Sequence, residues 1–278
     1  DGNELIVPAG ETYILHGRHV YTNSVRIDGT LTVTAYNGSA GTGSLEIVAP
    51  TMTVGSGGMV SVDGKGYPGG QGPGKGAEAG TTRADSGGGG GGYGGRGGSF
   101  GGVLGGVTYG SLVEPAGLGS GGGYGYGSYT AGGAGGAGGG ALKLTVAGEL
   151  RLDGSITANG LATTSSHYWN NGGGGGSGGS ILIRAGSLAG SGLIAANGGS
   201  KTVSGGGGGG GGRVAVYHGG AAPFNGSMTA LGGSGLNPGN QPGNAGSVVD
   251  NGYVKTYSSP GPDSPVTMSP SVVSIAAQ

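Results

Sequence analysis

The sequence predicts an all-β protein, a parallel, right-handed β-solenoid flanked by a lateral layer of polyglycine II-type helices. Three observations predict it. Short runs of β-branched and aliphatic residues alternate with turn signals, and no stretch sustains a 3.6-residue apolar period. These runs recur in the same order along the chain, the signature of a repeat architecture. Glycine supplies 81 of the 278 residues, gathered into runs that precede the recurring strands.

The first strands are Glu4-Leu5-Ile6-Val7-Pro8, Thr12-Tyr13-Ile14-Leu15, Ser24-Val25-Arg26-Ile27 and Thr30-Leu31-Thr32-Val33. Asp28-Gly29 and Asn37-Gly38 punctuate them, because Asn or Asp followed by Gly readily takes positive φ. From Ser44 the chain repeats itself. Ser44–Ala49, Ala141–Val146, Ser180–Ala185, Arg213–Tyr217 and Ser247–Val249 are successive starts. The second, third and fourth of these continue into Ser155-Ile156-Thr157-Ala158-Asn159-Gly160, Leu193-Ile194-Ala195-Ala196-Asn197-Gly198 and Ser227-Met228-Thr229-Ala230. One unit cannot bury an apolar face alone, whereas stacked units can.

The glycine runs are Gly87–Gly92, the stretch from Gly121 to Gly140, Gly172–Gly176 and Gly205–Gly212. They carry no charge, lack the serine mixture of flexible linkers, and recur just before a strand. Glycine segments in polyglycine II form could pack side by side, with no side chains to hold them apart. Organisation follows: a strand-rich N-terminal cap at 1–43, glycine-rich solenoid repeats at 44–258, and an extended Pro/Ser-containing tail at 259–278 that acts as a linker or donor strand.

Composition excludes several function classes. Charged residues make up 9% of the chain against about 25% in ordinary domains, and the net charge is −1. No basic stripe exists to neutralise phosphates, so nucleic acid is not an expected partner. With no cysteine there are no disulfides, zinc fingers or thiolate metal sites. No apolar run reaches the length of about 20 residues needed to span a bilayer, so membrane insertion through a helix is not expected. The start at Asp1 without methionine is compatible with a processed, secreted protein.

The order of aliphatic strand, Ala-Asn-Gly, loop, polyglycine and Ser-Gly-Gly runs from Ala158-Asn159-Gly160 to Ser177-Gly178-Gly179. It resembles the glycine-rich β-helix repeats of large bacterial surface proteins linked to adhesion and gliding motility, including myxobacterial ones. Polyglycine II bundles are also a feature of some phage tail-tip adhesins and of the glycine-rich domain of certain receptor kinases, although the absence of cysteine departs from the last. The resemblance covers about Ser44 to Tyr257 and implies an exported, non-catalytic role, with no site residues carried across.

Candidate chemistry is sparse. Asp63 and Asp153 read as occupants of similar repeat positions, but a polysaccharide-active enzyme needs carboxylates converging on one groove, and a strand-ending turn explains both. His16 and His19 could face one way and bind metal weakly, and are read as surface residues. The lone Arg96 in Gly94-Gly95-Arg96-Gly97-Gly98 gives little phosphate affinity. No catalytic residue, metal or cofactor is expected. The candidate recognition surface is aromatic: His167, Tyr168 and Trp169 in one insertion, and Tyr124, Tyr126 and Tyr129 in a glycine tract. Val266, Met268, Val272, Val273 and Ile275 in the tail are candidate subunit contacts.

These readings converge on a non-catalytic extracellular or cell-surface structural protein, a subunit or segment of a self-assembling fibre or coat. Its partner would be itself, in a head-to-tail or lateral homopolymer. The alternative is a monomeric adhesin that binds cell-surface glycan through the aromatic insertion. A polysaccharide-active enzyme stands a distant third.

Overall fold

The computed structural model describes residues 2–80, 87–125, 133–163, 172–201, 205–219, 224–235, 241–251, 253–256 and 271–274. Among them there is no helix, and the chain is all-β.

Two sheets hold the strands. The larger takes β1 (Gly2–Val7), β3 (Gly17–Ile27), β5 (Ser44–Ala49), β8 (Ala141–Leu152), β10 (Ser180–Ala189), β12 (Arg213–His218) and β14 (Ser247–Asp250) in parallel order. β6 (Thr51–Val54) continues the line of β5 beyond Pro50, which has no N–H for the ladder, and also pairs with β3 and β8. The smaller sheet is parallel too: β2 (Thr12–Ile14), β4 (Thr30–Thr32), β7 (Met59–Ser61), β9 (Ser155–Thr157), β11 (Leu193–Ala195) and β13 (Ser227–Thr229).

In-register pairing stacks like on like. Leu45, Leu142, Ile181, Val214 and Val248 form one inward column, and Leu31, Val60, Ile156, Ile194 and Met228 the facing column of the small sheet. These residues share one apolar core, nearly all at 2% exposure or less. Strand alternation places them there, and aliphatic side chains removed from water supply the main cohesive term.

The expected parallel right-handed β-solenoid with a lateral layer of polyglycine II-type helices is corrected on three counts. Among the described residues the larger sheet has ten strands against six and does not end parallel, because β15 (Tyr253–Thr256) pairs antiparallel with β14, and β16 (Ser271–Ser274) antiparallel with β15. The reversal follows Asp250-Asn251-Gly252, an Asn-Gly hairpin signal, with Asn251 at φ 47°. The repeating unit is not uniform along the chain, because the excursion between β7 and β8 is far longer than the crossings from β9 to β10, β11 to β12 and β13 to β14. Finally, the expected lateral layer of helices is itself a second interior: the glycine runs 87–92, 172–179 and 205–212 are buried beside the sheets.

Backbone hydrogen bonds do most of the work of holding that second interior together, with Ser177 Oγ, which accepts from Ser120 N–H at 2.8 Å, among the few side chains that join in. Gly88 N–H donates to Gly172 O at 3.0 Å and Gly91 N–H to Gly175 O at 2.9 Å, so the same two runs meet at every third residue. Gly175 N–H donates to Gly207 O and Gly178 N–H to Gly210 O, while Gly207 and Gly210 N–H return to Gly88 and Gly91 O, all within 2.9 Å. Such pairing satisfies amides that no water reaches. A Cβ at Gly174 would collide with the carbonyl of Gly89, and one at Gly209 with the carbonyl of Gly176. Backbone atoms cannot rotate aside, so glycine is required here for proximity.

Two devices join the interiors. A ladder of side-chain acceptors runs along the seam: Asp63 Oδ1 accepts from Asn159 N–H at 2.6 Å, Asn159 Oδ1 from Asn197 N–H at 2.8 Å, and Asn197 Oδ1 from Leu231 N–H at 2.8 Å. On the outer face of the large sheet, the positions that would ordinarily be polar are Leu182, Ala215 and Val249. They are buried under Leu112 of the long excursion. In the earlier strands of the same row, before that cover begins, the outward residues are charged, with Glu46 Oε1 3.1 Å from Lys143 Nζ and 3.6 Å from Arg18 Nε.

The close approach makes a measurable prediction. Gly174→Ala should cost about 3 kcal/mol or more, the upper end of overpacking penalties, because the neighbour to be displaced is main chain. Gly2→Ala, with nothing within 4 Å of the added carbon, should stay within about 0.5 kcal/mol. Chemical denaturation of both variants checks the contrast.

Candidate functional site

Three groupings of polar side chains stand out, and only the last is open to solvent. The first is a buried knot that ties the long excursion to the first residues of β10 and β12. Tyr93, fully buried, has its Oη 2.6 Å from Ser180 Oγ and accepts from Gly117 N–H at 3.2 Å. Ser180 Oγ donates to Gly117 O at 2.5 Å, which leaves the Tyr93 hydroxyl to donate to Ser180. Tyr109 donates to Leu118 O at 2.5 Å, and Ser120 Oγ lies 2.7 Å from the Tyr109 hydroxyl while accepting from Gly74 N–H at 3.0 Å. The two rings meet edge to face at 4.7 Å between centroids. Arg213 lies over the Tyr93 ring and gives its Nε–H to Tyr109 O at 3.0 Å.

Every hydroxyl proton in this knot has an acceptor, which makes it rigid. Burial raises the pKa of both tyrosines, against the lowering effect of their serine hydrogen bonds, and burial lowers that of Arg213. Neither phenol is near ionisation at neutral pH. The knot is structural.

The second grouping is Lys201, buried to 1% exposure. Its Nζ donates to Gly173 O at 3.2 Å. No ion pair reaches it among the described residues, and burial drives its pKa down from 10.5 to about 8. A buried ammonium without a counter-charge destabilises the fold.

The third is a shallow groove of about 360 Å³ on the outer side of the large sheet, lined by Thr145, Arg184, Tyr217, His218 and Asn251 among others. It lies where β8 and β10 bend, at the register shift between Ala185 and Ser187. Thr145, Arg184 and Tyr217 are neighbours in one row across three strands. Arg184 lies over the Tyr217 ring at 4.8 Å and pairs with Glu114 of the long excursion, while Tyr217 Oη donates to Val113 O at 2.8 Å. On the far side, Asn251 Oδ1 accepts from His218 N–H at 2.7 Å. Asn251 Nδ2 is 3.3 Å from His218 Nε2, and Asp250 Oδ1 is 3.5 Å from the same atom. His218 Nδ1 is buried without a hydrogen-bond partner among the described residues.

The residues singled out by sequence fare differently. Tyr124 is half-buried, donates to Gly69 O at 3.0 Å and packs where a Cβ on Gly70 would stand, so it covers a flank of the glycine interior. His167, Tyr168, Trp169, Tyr126 and Tyr129 lie outside the described residues, as do Val266, Met268 and Ile275. Val272 and Val273 sit in β16, paired with Lys255 and Val254 of the same chain. His19 Nε2 is 3.1 Å from His16 O, and no cluster of three metal-ligating side chains exists among the described residues.

Asp63 and Asp153 do not share a repeat position. Asp63 belongs to the ladder with Asn159, whereas Asp153 binds Arg151 at 2.8 Å, as Asp28 binds Arg26 at 2.6 Å. Sequence reasoning missed the knot and the groove. The continuous buried run Ser180-Ile181-Leu182-Ile183 was the readable sign that something covers β10 on both faces.

Comparison with family models, curated proteins and solved structures finds no match to this chain. Inference about function therefore rests on the geometry.

Two measurements follow from the buried groups. Below pH 8 both folded and unfolded chains carry a protonated Lys201, and the folded chain bears the full desolvation cost. Between about 8 and 10.5 only the unfolded chain keeps the proton, so stability should rise with pH across that window, by about 3 kcal/mol in all. Lys201→Met should be more stable than the parent at pH 7 and lack this share of the rise. Tyr93→Phe, which orphans the Gly117 N–H, should cost about 2 kcal/mol at any pH below the tyrosine range. Denaturant titrations at pH 7, 8.5 and 10 read both effects.

Proposed function

We propose that the chain is a non-catalytic structural protein, a subunit or segment of a self-assembling extracellular fibre or surface coat, and that its principal partner is a second copy of itself. The observation that carries this reading is the glycine interior. Ordering glycine costs more conformational entropy than ordering any other residue, and here long runs of it are fixed by backbone hydrogen bonds into a body with almost no charge. A mechanical role makes use of such stiffness; a soluble binding domain has little need of it.

Self-association has a surface to work with. Among the described residues, β1 and β2 are the outer strands at one end of both sheets, and Ile6 of β1 and Tyr13 and Ile14 of β2 are 46%, 39% and 62% exposed. Unpaired strand edges with apolar side chains invite further strands.

Negative-stain electron microscopy of the purified chain tests the proposal. Filaments with a constant axial repeat are expected, and Ile14→Lys should abolish them while leaving the circular dichroism of the fold unchanged. Dispersed single particles at every concentration, or filaments indifferent to Ile14→Lys, count against self-assembly through this end.

A further inference from the structure

The groove at the bend of the large sheet has no part in the mechanical reading. We propose that it is a binding site for an acidic oligosaccharide, a linear chain containing hexuronate residues. This goes beyond the structural role and does not depend on it, since a chain that forms no filaments would still present the groove.

Shape comes first. The groove is shallow and open to solvent, so a ligand there stays largely exposed, which suits a segment of a polymer better than a compact metabolite that needs enclosure. Its polar groups come from successive strands: Thr145 from β8, Arg184 from β10, Tyr217 and His218 from β12, and Asn251 from the turn after β14. With strands about 4.8 Å apart, they span roughly 14 Å. The Thr145 hydroxyl, the Arg184 guanidinium and the Tyr217 ring offer a run of sugar hydroxyls a polar contact, a charged donor and an apolar surface, while His218 and Asn251, bonded to each other, wall the far side.

Charge narrows the class. Arg184 is the permanent cation among the described lining residues, and the acids that flank the groove stand at its two sides: Glu114, paired with Arg184, and Asp250, 3.5 Å from His218 Nε2. The Arg184 guanidinium is oriented by the Tyr217 ring, and its partner is Glu114 on the rim. That pair is exposed on both sides, 45% for Arg184 and 55% for Glu114, so water screens it and its contribution is small. A ligand carboxylate can take the place of Glu114 and be held by the guanidinium fork in two parallel hydrogen bonds. Glu114 thus acts as an internal stand-in for the acidic group of the sugar. A peptide is the poorer fit: it would dock by backbone pairing, and the strands under the groove already have neighbours on both sides.

Isothermal titration of the full chain at low salt with an alginate-derived hexuronate tetrasaccharide tests the site, alongside the carboxyl-reduced neutral tetrasaccharide and a short polyglutamate. Saturable binding is expected for the hexuronate alone. Arg184→Gln should weaken it roughly tenfold or more, and Glu114→Gln, which removes the competing carboxylate, should tighten it about threefold. Arg151→Gln, on the same sheet but outside the groove, should leave affinity unchanged and serves with circular dichroism as the folding control. Absence of hexuronate binding, equal binding of the neutral sugar, equal binding of polyglutamate, or indifference to Arg184→Gln would overturn the proposal.

Discussion

Main chain against main chain, without side chains between, is the contact on which the molecule rests. A buried amide must find a partner, and in most proteins helices and sheets supply it. Here part of the interior is built from runs that belong to neither sheet, and each run finds its partners in other runs. Gly91 donates to Gly175, Gly175 to Gly207, and Gly210 back to Gly91, so the three strands of chain are mutually dependent. Such an arrangement tolerates no Cβ at its contacts and offers no solvation for a charge. The composition of the whole chain, rich in glycine and poor in charge, follows from this one requirement.

The same requirement shapes the join between the two interiors. A glycine body has no side chains with which to grip a sheet, so the grip is supplied at a few points by residues that carry long polar arms. Tyr93 reaches from the excursion to Ser180 and lies under the Arg213 guanidinium, while Tyr109, braced by Ser120 of the same excursion, gives that guanidinium its backbone carbonyl, with each hydroxyl proton assigned to an acceptor. Leu112 closes over Leu182, Ala215 and Val249. Lys201 marks the cost of such packing: a cation confined among glycine carbonyls, with Gly173 O as its acceptor and its pKa depressed to about 8.

Much of the strand plan was legible in the sequence, because strand alternation and the recurrence of starts at Ser44, Ala141, Ser180, Arg213 and Ser247 are local and repeated. Those residues pair with one another across the large sheet. What escaped was set by long-range partners. Nothing local says that Tyr93 will meet Ser180, or that Arg184 will face Glu114 across the excursion. The antiparallel end was available in the Asn251-Gly252 dipeptide, but a strand that starts like its predecessors reads as one more parallel neighbour. The paired aspartates misled for the same reason: Asp63 and Asp153 end similar runs, yet the register puts them in different columns.

The seam ladder shows how side chains can limit a stack that backbone alone would leave unlimited. Each asparagine accepts the N–H of the residue that follows in the stack, from Asp63 through Asn159 and Asn197 to Leu231. Leucine has no acceptor to offer, so the ladder ends there. Among the described residues β13, the strand just before Leu231, is also the last strand of the small sheet. The large sheet goes one parallel strand further, to β14, and then turns back on itself through Asn251. Beyond that point the two sheets no longer advance together, and a core that depends on facing columns cannot be extended by one sheet alone. The stack stops where its side chains cease to supply the next partner, although the backbone of β14 could have paired in parallel with another strand.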